Sequence, residues 1–181
     1  MVETPSITYR VLSRAEVDLF VHLDRTESVD RIHYVREGRL VLEKEHWDVP
    51  DWSPAEKARR ISALKDVYDQ EATFFGAFDG DVLVGLSVLD HNPVKTGVDR
   101  LNLDGLWVSQ GYRRKGIGRT LVQKAAQEAR ERGASKLYVS ATPSENTIRF
   151  YFSLGCQRAE PIDPDLYDAE PEDIHLELEL E

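Results

Sequence analysis

The chain has 181 residues, of which 41% are hydrophobic and 31% charged, with a formal net charge of −10. That length suits one compact domain spanning 1–181, and the composition is that of a folded globular protein rather than a disordered or membrane one. An acidic total argues against a nucleic-acid partner, which requires a basic face to displace phosphate counterions.

Met1 to Arg10 lacks a basic-then-apolar leader, and runs such as Val82 to Leu89 fall far short of the roughly 20 apolar residues a membrane helix needs. No membrane association and a cytoplasmic location are therefore expected. Ile7 to Leu12 alternates like a strand, and Ser13 with Glu16 has capping-box spacing for a helix ending before Arg25. Arg31 to Glu45 reads as two short strand-like pieces around Glu37-Gly38. Ser53, Pro54 and Glu56 then start a helix that reaches about Gln70.

Thr73 to Asp79 and Val82 to Leu89 form a hairpin through Asp79-Gly80, a dipeptide tolerant of positive φ. Leu101 to Val108 is a further strand, Ser109 to Tyr112 a turn, and Ile117 to Arg132 a helix closed by Gly133. Lys136 to Ala141 is a strand, Ser144 to Leu154 a helix ended by Gly155, and Ile174 to Leu180 an alternating last strand. The crossover rule makes the strands at 101–108 and 136–141 parallel, so the fold class is α/β around a mixed sheet. The six carboxylates from Glu170 to Glu181 read as the solvated face of the last strand.

Against the acidic total stands one basic stretch, Arg113, Arg114, Lys115 and Arg119, at a strand-loop-helix junction. Unpaired backbone N–H groups and the helix dipole suit such a junction to a phosphate. Gly116 and Gly118 clear the backbone's approach, and the cations supply charge-assisted donors. Cations alone at a helix N-terminus oppose the dipole, a conflict a bound anion resolves. A nucleoside-triphosphatase loop is excluded, because Ile117 and Gly118 occupy the positions of its lysine and hydroxyl. A dinucleotide fingerprint is excluded by Leu121 in place of a third glycine. The five histidines, at 22, 33, 46, 91 and 175, show no metal-ligand spacing, and the lone Cys156 precludes an internal disulfide, so no metal is expected.

The run Arg113-Arg-Lys-Gly116-Ile-Gly118 resembles the acyl-CoA motif of the GNAT family of N-acetyltransferases: Arg or Gln, two residues, Gly, one residue, Gly or Ala. Leu106-Trp107-Val108 resembles that family's bulged strand, and Phe150-Tyr151 with Leu154-Gly155-Cys156 its last-helix signature. The resemblance covers about Thr73 to Cys156, and the first part of the chain only by element order.

It implies a twisted mixed sheet flanked by helices, two strands of which splay around the pantetheine arm of acetyl-CoA. Leu106, Trp107 and Val108 would bind that arm and the acyl carbonyl through their backbone. Arg114, Lys115, Gly116, Ile117, Gly118 and Arg119, with Arg113 before them, would hold the pyrophosphate, and Tyr151 would protonate the leaving thiolate. The family's asparagine seven residues before that tyrosine is Ser144 here, with Asn146 five before; either makes the contact, and Ser144 has a plain alternative as N-cap. Tyr151 has its own alternative as a core aromatic beside Phe150 and Phe152.

Amine attack on a thioester needs a base, donors for the oxyanion and an acid. Strand parity puts Asn102, Asp104, Leu106 and Val108 on one face, making Asp104 a candidate base that a bulge would redirect; Glu27, Glu37 and His33 are further candidates. Trp47, Trp52 and Tyr34 with Asp24, Glu43 and Glu45 form a candidate acceptor wall suited to a cationic amine. The expected reaction is acetyl transfer from acetyl-CoA to a primary amine of a small molecule or peptide by direct attack. The competing expectation is a non-catalytic acyl-CoA sensor with the same fold. A homodimer is compatible with the sequence.

Overall fold

The computed structural model of the protein describes residues 6–181. The expectation of no leader, read from Met1 to Arg10, therefore rests in part on residues outside those described. Nine strands and four α-helices follow one another as β1 (Ile7–Val11), β2 (Glu27–Arg36), β3 (Arg39–Val49), α1 (Pro54–Asp69), β4 (Thr73–Asp79), β5 (Val82–Pro93), β6 (Arg100–Val108), α2 (Ile117–Glu131), β7 (Lys136–Ala141), α3 (Glu145–Ser153), β8 (Gln157–Arg158), α4 (Pro164–Ala169) and β9 (Ile174–Glu179). Among these residues no helix is long and apolar enough to cross a membrane.

Seven strands form one sheet in the order β1-β4-β5-β6-β7-β9-β8, and β6–β7 is its parallel pair. Helices cover both faces. Leu121, Val122, Ala125 and Ala129 of α2 pack with Leu101, Leu103, Leu137 and Val139 on one face, together with Ile148 of α3. Phe20, Leu64 and Trp52 pack with Phe74, Phe78, Leu86 and Val88 on the other. Adjacent residues such as Phe74 and Phe75 serve opposite cores, as the period of two requires. Each fully buried Leu or Phe contributes on the order of 1.5–3 kcal/mol, enough in sum to offset chain ordering.

The expected elements are present, with four differences. The segment Arg14–His22 is a 3₁₀ rather than an α-helix, begun by Glu16 accepting from the Ser13 N–H at 2.8 Å. The two short pieces around Glu37-Gly38 are a long hairpin, β2–β3, whose turn has positive φ at both Glu37 and Gly38, 51° and 76°. It docks on the main body where Ile32 bridges Ser144 and the His33 N–H donates to Pro143 O at 2.7 Å. Between Cys156 and Ile174, where no element was expected, lie β8 and α4; Asp163 caps α4, accepting from the Asp165 and Leu166 N–H groups, with Pro164 at its first position. The last difference is at the C-terminal strand, whose acidic residues are not simply solvated. The Glu177 carboxylate lies between Lys136 at 2.7 Å and Arg100 at 3.3 Å, and burial pushes Asp173 up to about 6.

Candidate active site

β6 and β7 pair through only Arg100↔Lys136, Leu101↔Leu137 and Asn102↔Tyr138. Beyond Asn102 the two strands part, so the β7-facing backbone of residues 103–108 has no partner strand. The splay expected between these strands is therefore present as an opening that narrows toward the Arg100–Glu177–Lys136 cluster.

A bulge sets which side chains face which way. On β5, Val88 pairs Gly105 and Leu89 pairs Leu103, which leaves Asp104 as the extra residue. Leu106 and Val108 therefore join Leu101 and Leu103 on the α2 face, whereas Trp107 lies on the α1 face. The parity reading that grouped Asp104 with Leu106 and Val108 is corrected by this bulge. Asp104 instead shares with Trp107 a cavity of about 190 Å³, lined also by Phe20, Arg60, Leu64 and Val67. Its carboxyl opens to solvent at the cavity mouth, yet the protein around it, and secondarily the charge of Asp90, raises its pKa.

The loop before α2 has the local geometry of an anion cradle. Arg114 and Gly116 both take positive φ, 62° and 83°, the alternation that turns successive N–H groups toward one point. The Thr120 N–H bonds to Gly116 O at 3.1 Å, and the backbone donors from Arg114 to Arg119 have no backbone acceptor among the described residues. Ile117, 2% exposed, anchors the turn in the core. Gly116 is required by its φ, whereas at Gly118 a Cβ would sit 3.2 Å from the Phe150 ring, so the ring would have to shift by a few tenths of an ångström.

The basic side chains divide. Arg113 is engaged with protein: its guanidinium donates to Val108 O, Thr26 O and Arg25 O at 3.0, 3.1 and 3.0 Å, and Glu27 lies 3.8 Å away. It ties the end of β6 to the start of β2 and has little left for an anion. Lys115 donates to Gly111 O at 2.9 Å above the Tyr112 ring. Arg119 reaches Ser153 on α3 through a hydrogen bond of 3.3 Å. Arg114 is exposed and makes no ion pair among the described residues.

Tyr151 is 5% exposed, on the inner face of α3. Burial raises its phenol, with smaller contributions from Cys156 and Asp173, so it stays protonated. Burial likewise pushes Cys156 up to about 12, which keeps it an inert thiol. Ser144 is 2% exposed and its hydroxyl accepts from the Thr147 N–H at 3.3 Å as the α3 cap. Asn146, next on that helix, donates to the Glu27 carboxylate at 3.2 Å, so Glu27 links Arg113 and Asn146 across the end of the opening. Glu37 sits at the hairpin turn beside Gly38, whose carbonyl accepts from Arg158. His33 is held at Pro143 by its backbone, and burial lowers its pKa.

The proposed acceptor wall is split. Tyr34 donates to Glu45, which also accepts from Trp47 at 2.8 Å, all on the β2–β3 hairpin. Trp52 belongs instead to the core under α1, with Arg25 and Arg60 each 4.9 Å over its ring. Asp24 accepts from the Thr26 N–H at 2.8 Å and is occupied locally. Sequence reasoning missed Arg60 and Phe20 as cavity residues; the helical spacing of Arg60, Leu64 and Val67 was the available signal. Among the described residues no group of three or more His, Cys, Asp or Glu side chains is placed to hold a metal.

Residues 39–155 match the acetyltransferase (GNAT) family. An uncharacterized N-acetyltransferase, YsnE, of Bacillus subtilis (strain 168) is 27% identical over 131 residues, 71% of this chain and 82% of that protein. Streptothricin acetyltransferase of Streptomyces lavendulae is 41% identical over 64 residues, 35% of this chain and 32% of that protein. The crystal structure of nourseothricin acetyltransferase superposes with a TM-score of 0.72 at 22% identity, over 97% of this chain and 99% of that one. PaiA N-acetyltransferase from Thermoplasma acidophilum, solved in complex with coenzyme A, gives 0.63 at 17% identity, over 96% and 99%.

Proposed function

Because the chain belongs to the acetyltransferase (GNAT) family, we propose that it transfers an acetyl group from acetyl-CoA to a primary amine of a small molecule by direct attack in a ternary complex in the cytoplasm. The observation that carries this reading is the opening between β6 and β7 with the positive-φ loop of Arg114 and Gly116 beside it. The residues fit the cosubstrate. Unpaired N–H groups from Arg114 to Gly118 and the side chains of Arg114 and Arg119 would take the pyrophosphate. The unpartnered backbone of Leu106, Trp107 and Val108 would take the pantetheine arm and the acyl oxygen. Asn146, exposed and with only one amide N–H engaged by Glu27, is better placed to serve that arm than Ser144, whose hydroxyl caps α3.

In this reading the amine enters from the α1 face through the cavity of Asp104. Asp104 takes the amine proton, its raised pKa making it a stronger base than an ordinary aspartate. The nitrogen forms its bond to the acyl carbon as the carbon–sulfur bond breaks, and the Tyr151 phenol protonates the departing thiolate. Holding amine and thioester together supplies much of the acceleration without a covalent enzyme intermediate.

Thiol release followed across amino acids, diamines, aminoglycoside-like and streptothricin-like amines, and peptide termini tests the proposal. Streptothricin-like amines enter the panel on the relatives' names. Amine-dependent release is expected for at least one class. Saturable acetyl-CoA binding with release at background across the whole panel would make the chain a sensor instead.

A further inference from the structure

The cavity on the α1 face of β6 holds two opposite charges that do not meet. Arg60 and Asp104 both line it, yet among the described residues Arg60 makes no ion pair and no side-chain hydrogen bond. The side chain is exposed at the mouth of the cavity, so water rather than protein meets its donors. Partial cover and the neighbouring Arg25 guanidinium lower its pKa, and Glu56 and Glu170 act on it only from beyond contact. Arg25 and Arg60 lie over the same indole, Trp52, each 4.9 Å from its centroid. Arg25 uses its Nε on Pro50 O at 2.9 Å, so Arg60 is the cation with its donors unused.

Arg60, Leu64 and Val67 form one stripe of α1, with Arg60 at one end. Seven residues of helix separate the ends by about 10 Å at 1.5 Å per residue. The walls between are apolar, Phe20, Leu64 and Trp107. A guanidinium with free donors beside apolar walls is completed best by a planar anion bound through two N–H groups. A volume of about 190 Å³ lies below the ~300–1,000 Å³ of pockets that take drug-sized ligands, so a small acceptor suits it.

We infer that the acceptor is a small zwitterion, an amino acid or a close analogue, whose carboxylate pairs with Arg60 while its amine meets Asp104. This rests on the proposal that the α1 face is the acceptor side. The same cation repels a polycationic amine from this cavity, so the inference selects among the amines that the proposed reaction admits.

The test uses matched acceptors that differ only at the carboxyl group, an amino acid, its carboxamide and its decarboxylated amine, with saturating acetyl-CoA and the full chain. The acid is expected to exceed the other two in kcat/KM by about tenfold or more. Arg60→Gln should bring the acid down to the amide's level mainly through KM, and Arg60→Lys should restore part of the preference. Equal turnover of acid and amide, or faster turnover of polyamines, overturns the inference while acetyl transfer stands. If no amine turns over, acetyl transfer falls, and calorimetry of the same acids and amides on the CoA-loaded protein decides the site separately. Acid binding lost in Arg60→Gln supports it, and equal binding of acid and amide overturns it.

Discussion

Arg113 and Arg114 are neighbours in sequence with opposite environments. Arg113 satisfies three backbone carbonyls and leans on Glu27, whereas Arg114 stands exposed at positive φ. Arg113→Ala should therefore cost stability, about 2–3 kcal/mol for lost charge-assisted hydrogen bonds, read by urea denaturation. Arg114→Ala should change stability by no more than about 0.5 kcal/mol and instead weaken acetyl-CoA binding about fivefold at low salt, less at high salt. Calorimetry at two ionic strengths separates the two. The same scale distinguishes the proposed acid and base. Tyr151→Phe removes a buried phenol without opening a cavity, so the fold should hold while kcat falls about 100-fold. Asp104 must be ionised to accept a proton, so activity is lost as pH falls through its folded pKa, which the protein around the carboxyl and the charge of Asp90 hold above the ordinary 3.8. The acidic limb of the kcat/KM profile should disappear in Asp104→Asn.

At the scale of elements, the loop before α2 makes two glycines unequal. Gly116 has φ 83° and open space around it, whereas Gly118 is hemmed by Phe150. Gly116→Ala should cost about 1–2 kcal/mol of backbone strain and distort the cradle, weakening acetyl-CoA binding about tenfold. Gly118→Ala should instead disturb the α2–α3 contact and lower the melting temperature. Both are checked by a titration beside a thermal melt. The elements that were legible in the sequence carry local signals: alternation in β9, caps at Ser53 and Ser144, and positive-φ glycines at 133 and 155. The bulge at Asp104 was not legible, because only pairing with β5 creates it. Arg113 reads as a pyrophosphate donor until the carbonyls of Arg25 and Thr26, 88 and 87 residues away, arrive beside it. By contrast α4 carries a local signal of its own in Asp163-Pro164, an N-cap followed by a proline at the first helical position.

At the scale of the whole molecule, the sheet is held together at one end of the β6–β7 pair and open at the other. The closed end depends on Glu177, whose carboxylate meets Lys136 in a hydrogen bond of 2.7 Å and Arg100 at 3.3 Å, an ion contact without hydrogen-bond alignment. Arg100 itself is 8% exposed and donates to Pro161 O and Glu160 O at 3.2 and 2.9 Å, so it joins β6 to the loop beyond β8 as well. Glu177→Gln would leave the buried Arg100 guanidinium without a counter-charge, while Lys136 keeps Glu179 at 3.0 Å, at a cost on the order of 3 kcal/mol. Because β6, β7 and β9 meet at this point, the loss should appear as a lower urea midpoint with an unchanged slope. It should also loosen the strands that frame the opening, raising KM for acetyl-CoA more than it lowers kcat. A drop in stability with both kinetic constants unchanged would mean that the closed end holds the fold without setting the width of the opening.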